Sequence, residues 1–193
     1  MEQDTVYRKY RDEVIILLGT GLRISEFCGL TTALDFKNRQ INVDHQLLRD
    51  ADIGYYIETP KTKNGIRQIP MSREVYQALK RVLKNRGNAA PFSVEGYKNF
   101  LFLKNDGMPK VSANYDSMLK GLVKKYNKQN KEQLPNITPH ILRHTFCTRL
   151  ANAGMNPKAL QYIMGHANIT MTLNYYAHAT YDSAKAEMER LAA

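Results

Sequence analysis

Residues 139–145 read Pro-His-Ile-Leu-Arg-His-Thr and carry two histidines and an arginine at helical spacing. His140 to Arg143 is i, i+3 and His140 to His144 is i, i+4, so the three side chains are neighbours near a helix start. Such a point suits an anion, because unpaired backbone N–H groups and the helix dipole add to the side-chain charge. Zinc is the competing reading, since two histidines four residues apart can hold it, yet no glutamate follows His140 and no third ligand is evident. Arg23 stands in Gly19-Thr-Gly-Leu-Arg-Ile-Ser-Glu26, where a helix broken by glycine restarts. Glu26, one turn on, is placed to hold the guanidinium; a surface salt bridge is the plainer reading. The last cluster is Met164-Gly165-His166, followed by Thr170-Met-Thr-Leu-Asn-Tyr175-Tyr176-Ala-His178.

These groups need a scaffold, and the chain has the means to build one. It has 193 residues, 43% hydrophobic and 24% charged, which is the balance of a globular domain rather than of a disordered or fibrous chain. No period repeats. Apolar residues Val6, Tyr10, Val14, Leu17 and Leu18 predict a helix over residues 5–18 that Gly19 and Gly21 break, and a short helix over 23–30 follows. Strand composition over 40–46, 54–59 and 66–70 predicts a small antiparallel sheet, with the last two strands joined as a hairpin through Asn64-Gly65. Ser72 caps a helix toward residue 86 whose inner face is Val75, Leu79, Val82 and Leu83, and residues 87–91 form a loop.

Ser112 is the expected cap of a helix to about residue 130, striped with Tyr115, Met118, Leu119, Leu122 and Tyr126. Lys120, Lys124, Lys128 and Lys131 line another of its faces, either as a solvated surface or as phosphate contacts. Thr138-Pro139 and Asn156-Pro157 are two successive helix starts, ended at Gly154 and Gly165, and a third helix begins near Thr170. Asp182 or Ser183 caps a terminal amphipathic helix bearing Ala184, Met188 and Leu191. The expected fold is one domain over residues 1–193, mainly α with a small antiparallel β-sheet (α+β).

Lys and Arg number 28 against 18 Asp and Glu, a net charge of +10, so polyanions are the natural partners. The longest apolar run, residues 14–18, is too short for a membrane span, and no basic and apolar leader follows Met1. Cys28 and Cys147 lie far apart without metal-ligand spacing and read as buried free thiols. A cytoplasmic, nucleoid-associated protein is the expectation.

Taken in order, Gly-Leu-Arg23-x-Ser-Glu26, His140-x-x-Arg143-His144, Gly165-His166 and Thr-Leu-x-x-Tyr176-x-His178 resemble the catalytic domain of the tyrosine recombinases. Ser25 to Leu30, Ile41 to Gln46 and Tyr175 to Thr180 are most similar to integrases of conjugative transposons. The resemblance implies a DNA breaking and rejoining core. Arg23 and Arg143 match the family's two phosphate-binding arginines; a guanidinium suits that task because it binds phosphate through two N–H groups and stays charged. Tyr176 matches the nucleophile, ten residues after His166 as the family places it, with the adjacent Tyr175 as the alternative. His140 matches the proton acceptor and His166 the histidine that donates to the phosphate, although both also fit buried structural histidines. The family's general acid is a lysine on a β-hairpin. Lys61 is the preferred candidate over its rival Lys63, and with Lys61 as the acid Lys63 and Arg67 are expected to contact backbone phosphates.

The reaction so implied cleaves double-stranded DNA through a 3′-phosphotyrosine intermediate, with no metal, ATP or other cofactor. A homotetramer on two paired sites is implied, with the carboxy-terminal helix docked on a neighbour; that helix packing on its own domain is the alternative. The family's amino-terminal core-binding and arm-binding modules are expected to be absent from these 193 residues. Three rival readings are a type IB topoisomerase, a non-catalytic basic DNA-binding module, and a metal-dependent nuclease, for which no carboxylate cluster speaks.

Overall fold

Local capping signals set the helices. The computed structural model describes residues 1, 4–60, 65–176, 185, 188 and 189. Among these, α1 spans Arg11–Thr20, α2 Ile24–Gly29, α3 Arg73–Lys84, α4 Ser112–Gln129, α5 Pro139–Asn152, α6 Pro157–Met164 and α7 Ile169–Leu173. Ser72 accepts from the Val75 amide, Thr138 from Ile141, and Asn156 from Lys158 and Ala159, each satisfying a first-turn N–H that the helix itself leaves unpaired. Pro139 and Pro157 occupy first-turn positions, where a missing N–H costs nothing.

Two helix starts differ from expectation. A 3-10 turn at Arg8–Tyr10 precedes α1, with the Asp4 carboxylate accepting the Val6 and Tyr7 amides. The cap of α4 is Val111 rather than Ser112, and Asn114 accepts from the Val111 amide. Gly19 lies inside α1, where a Cβ would stand 2.4 Å from Val75 Cγ2, so it lets α3 approach rather than ending the helix. Gly21 ends it, at φ 63°. That left-handed conformation suits glycine, and a Cβ there would also meet the Phe146 ring at 2.3 Å.

The strands are β1 Gln40–Val43, β2 Gln46–Asp50, β3 Gly54–Glu58, β4 Arg67–Pro70, β5 Ser93–Val94 and β6 Tyr97–Lys98. They form three antiparallel pairs: β1 with β4, β2 with β3, and β5 with β6. The expected pairing of the third and fourth strands is therefore corrected. β3 folds straight back on β2, Asp50 opposite Gly54, and β4 crosses to β1, Val43 opposite Arg67. The small antiparallel sheet stands, divided in three and subordinate to helices.

The main core gathers Ile16, Leu17, Phe27, Ile41, Ile69, Leu79, Phe102 and Tyr115. Phe27 stacks on Phe102 at 4.1 Å between centroids, and Tyr115 meets Phe27 edge-on at 5.3 Å. Beside them the nearly buried Glu13 accepts from Lys110 Nζ at 2.6 Å and from the Tyr115 hydroxyl at 2.5 Å. Burial first, then the Glu13 charge, pushes the Tyr115 phenol well above its ordinary pKa. Tyr115→Phe should therefore destabilise the fold by about 1–3 kcal/mol, the cost of removing one partner from a buried carboxylate. A lower urea midpoint with an unchanged m-value is the expected result. A second cluster holds Phe146, Cys147, Ala151, Leu160 and Met164, with Tyr175 and Tyr176 packed against it. Both cysteines are free and buried. No helix among the described residues is long and apolar enough to cross a membrane.

Candidate active site

Three arginines from three different elements meet at the end of one helix. Helix α6 stops at Gly165, at φ 62°, and leaves its last carbonyls without helical partners. Arg67 Nε donates to the Ile163 carbonyl at 2.7 Å, Arg143 Nη2 to Met164 at 2.6 Å and Arg23 Nη2 to Gly165 at 3.1 Å. Three successive carbonyls thus take three guanidiniums, where the helix dipole also favours positive charge. Gly165 serves the cluster twice, because a Cβ there would stand 2.9 Å from Arg67 Cζ.

Each arginine is placed by its own element. Arg23 is the residue before α2, following the turn at Gly21. Arg143 enters from α5 and also donates to the Gly21 carbonyl at 2.5 Å, tying α5 to that turn. Arg67 enters from β4, whose alternation buries Arg67 and Ile69 and exposes Gln68 and Pro70. Glu26, 5% exposed, is the carboxylate that links two of them among the described residues. It accepts from Arg23 Nη1 at 2.8 Å and the Arg23 amide at 2.8 Å, and from Arg67 Nη1 at 3.0 Å and Nη2 at 2.9 Å.

The charges explain the titration. Burial by itself raises the Glu26 carboxyl, but the hydrogen bonds and charge of Arg67, with the charge of Arg23, outweigh it and hold the carboxyl below its ordinary pKa. Arg143 is lowered to about 10, first by burial and next by repulsion from Arg23. His166 is lowered to about 4, first by burial and then by Arg143, Arg23 and Arg67. Its Nδ1 stands 2.9 Å from the Thr172 hydroxyl. Among the described residues three guanidiniums accompany one carboxylate, an excess of two positive charges. Arg23 is 40% exposed and opens it to solvent.

The His166 shift has a sign that can be tested. From the ordinary value of 6.5 down to about 4 the unfolded chain binds this proton and the folded chain does not. This site's contribution to stability is therefore present above about pH 6.5 and lost as the pH falls toward 4. Melting temperatures of the wild type and His166→Gln between pH 4 and 8 should draw together as the solution is acidified. Parallel curves would contradict the shift.

Of the residues singled out in the sequence, Arg23, Arg143 and His166 are brought together. His140 lies exposed in the first turn of α5. His144 is exposed, with its ring 4.8 Å from Tyr175, so His140, Arg143 and His144 do not share one inward face. The arginines gather at the carboxyl end of α6 and not at the amino end of α5. No group of three or more His, Cys, Asp or Glu among the described residues is arranged to hold a metal ion. Tyr176 is half-buried, and its hydroxyl donates to the Met155 carbonyl at 2.5 Å. Burial first, then Cys147, raises its phenol above the ordinary value.

Arg67 requires correction. Its side chain is 0% exposed and wholly engaged within the protein, so it is an internal brace and not a backbone-phosphate contact. Lys120, Lys124 and Lys128 are exposed on α4, and Lys131 is exposed just after it. Lys61, Lys63, His178, Asp182, Ser183, Ala184 and Leu191 lie outside the described residues; Met188 is exposed. Sequence reasoning missed the place of Arg67 and Thr172 in the cluster. For Arg67 a signal existed, since it stands two residues before the core residue Ile69 on one strand face.

The Phage integrase family model matches residues 2–183. The chain is 69% identical over 189 residues to the transposase from transposon Tn916 of Enterococcus faecalis, covering 97% of this chain and 47% of that protein. It is 33% identical over 167 residues to tyrosine recombinase XerA of Pyrococcus horikoshii, covering 86% of this chain and 50% of that one. The chain thus spans about half the length of the curated relatives it matches. Among solved structures, the Tn1549 transposon integrase in complex with circular intermediate DNA superposes with a TM-score of 0.92 at 67% identity, covering 98% of this chain and 62% of that chain. With the family model spanning nearly all of its length, and relatives that share most of its residues, the chain belongs to the phage integrase family.

Proposed function

We propose that this chain is the catalytic part of a site-specific DNA recombinase of a mobile element, which cuts and rejoins double-stranded DNA through Tyr176. The observation that carries the reading is the excess of positive charge held by Arg23, Arg67 and Arg143 around Glu26, next to the neutral His166. A phosphodiester under attack concentrates negative charge on its non-bridging oxygens, and preorganised guanidiniums stabilise that charge. The complex of the similar Tn1549 integrase with circular intermediate DNA supports DNA as the partner.

In this mechanism the Tyr176 oxygen leaves the Met155 carbonyl, attacks phosphorus and bonds to it, and the bond from phosphorus to the 5′ oxygen breaks. The phenol proton passes to His140, and Lys61 protonates the departing 5′ oxygen, with Lys63 as its competitor. Arg23 and Arg143 hold the non-bridging oxygens. His166, whose ring is set by the Thr172 hydroxyl 2.9 Å from Nδ1, acts as the histidine that donates to the phosphate. Because the phosphotyrosine bond conserves the energy of the diester, a 5′ hydroxyl reverses the step without ATP. Lys120 and Lys124 add backbone-phosphate contacts. Two paired sites call for a homotetramer, with the carboxy-terminal segment docked between protomers.

A nicked duplex of circular-intermediate sequence tests the reading, because the short 5′ fragment diffuses away and traps the intermediate. A covalent protein–DNA adduct that forms in chelator is the expected result. No adduct, or loss of cleavage in chelator, overturns it.

A further inference from the structure

We propose that Arg67 is a positioning residue of this site, acting through Glu26 to hold Arg23 in its phosphate-binding orientation; the inference rests on the function proposed above. Arg67 cannot touch DNA, since its side chain is 0% exposed. Its contacts nevertheless converge on what fixes Arg23. A carboxylate has about four lone-pair sites, and Glu26 fills them with four donors: the Arg23 amide, Arg23 Nη1, Arg67 Nη1 and Arg67 Nη2. Half of what orients Glu26 therefore comes from Arg67.

The two arginines also share a second support. Arg67 Nε holds the Ile163 carbonyl and Arg23 Nη2 holds Gly165, two residues on, so both are referenced to the same helix end. Arg67 Nη1 adds the Gly65 carbonyl, which ties its own strand entry to the cluster. Without Arg67, Arg23 is the one cationic partner that Glu26 keeps among the described residues, and the carboxylate swings with it. Stability alone does not call for an arginine here, because a buried ion pair is often replaced by apolar residues at no loss. A fixed fork is what the geometry uses. One lysine ammonium cannot reach the two Glu26 oxygens and the Ile163 and Gly65 carbonyls from a single nitrogen.

The test compares full-length wild type, Arg67→Lys, Arg23→Lys and the double variant on the nicked circular-intermediate duplex. It measures single-turnover adduct formation at saturating DNA and, separately, the Kd for the same duplex. Arg67→Lys should slow adduct formation by about 10- to 100-fold, the scale of a reacting group misplaced by an ångström, with Kd unchanged. The double variant should be no slower than Arg23→Lys alone, because residues acting as one unit are non-additive. A folded Arg67→Lys that cleaves at the wild-type rate, or that loses only DNA affinity, overturns the proposal. So does a double variant whose losses multiply. If Arg67→Lys shows no cooperative melt, Glu26→Gln replaces it in the same comparison, and a wild-type rate there overturns the proposal equally. Failure of wild type to form any adduct strikes the proposed function and this inference together, whereas an adduct in wild type with undiminished Arg67→Lys strikes this inference alone.

Discussion

Tyr176→Phe is expected to abolish the covalent adduct on a nicked duplex while DNA affinity stays unchanged. The substitution removes one oxygen atom and leaves the ring packed on the second core cluster. It touches none of the guanidiniums that would hold phosphate. The same oxygen donates to the Met155 carbonyl, so a small loss of stability accompanies the change, about 1 kcal/mol for one net hydrogen bond. That figure also sets how firmly the hydroxyl is held at the Met155 carbonyl. An attachment of about 1 kcal/mol shifts a two-state balance by roughly fivefold, so DNA of the right geometry can readily draw the hydroxyl off. Tyr175→Phe is the control and should still form the adduct. An adduct in Tyr176→Phe, or none in Tyr175→Phe, would move the nucleophile to Tyr175.

Arg143→Ala should damage rate and fold together. Loss of one donor aimed at developing charge lowers a chemical step by about 10²- to 10³-fold. The same side chain donates to the Gly21 and Met164 carbonyls, contributed by the turn after α1 and the end of α6. Each buried carbonyl left without a partner costs about 1–3 kcal/mol, so a clear fall in melting temperature accompanies the kinetic loss. Arg143→Lys restores a charge but cannot span two carbonyls with the same fork, and should recover only part of either effect. Single-turnover cleavage and thermal melts on both variants check this. A stable Arg143→Ala that cleaves near the wild-type rate would remove Arg143 from the site.

What could be read from the sequence divides by range. Ser72, Thr138-Pro139, Asn156-Pro157 and Gly165 act within one helical turn, so their signals mark α3, α5 and α6 almost to the residue. Strand pairing is not local in this way. Asn64-Gly65 has the composition of a hairpin, yet β3 had a nearer partner across Asp50 to Gly54, and β4 found β1 instead. The same holds for the site. The ordered motifs identify Arg23, Arg143 and His166, but side-chain direction follows from packing. Helical spacing groups His140 and His144 with Arg143, whereas the core takes only Arg143 and leaves both histidines at the surface. Arg67 was hidden by its basic surroundings, because a cation in a Lys-rich stretch reads as a surface group until the alternation with Ile69 is given weight.

Apart from Glu26, the acceptors that Arg23, Arg67 and Arg143 share at α6 are main-chain oxygens at 163, 164 and 165. No exchange of a side chain deletes a peptide oxygen. Inactivating point changes in this constellation should consequently concentrate on its donors, on Glu26 and on Gly165. Residues 163 and 164 should tolerate any replacement that keeps the helix and the apolar volume. The scaffold thereby makes these three acceptors resistant to mutational drift.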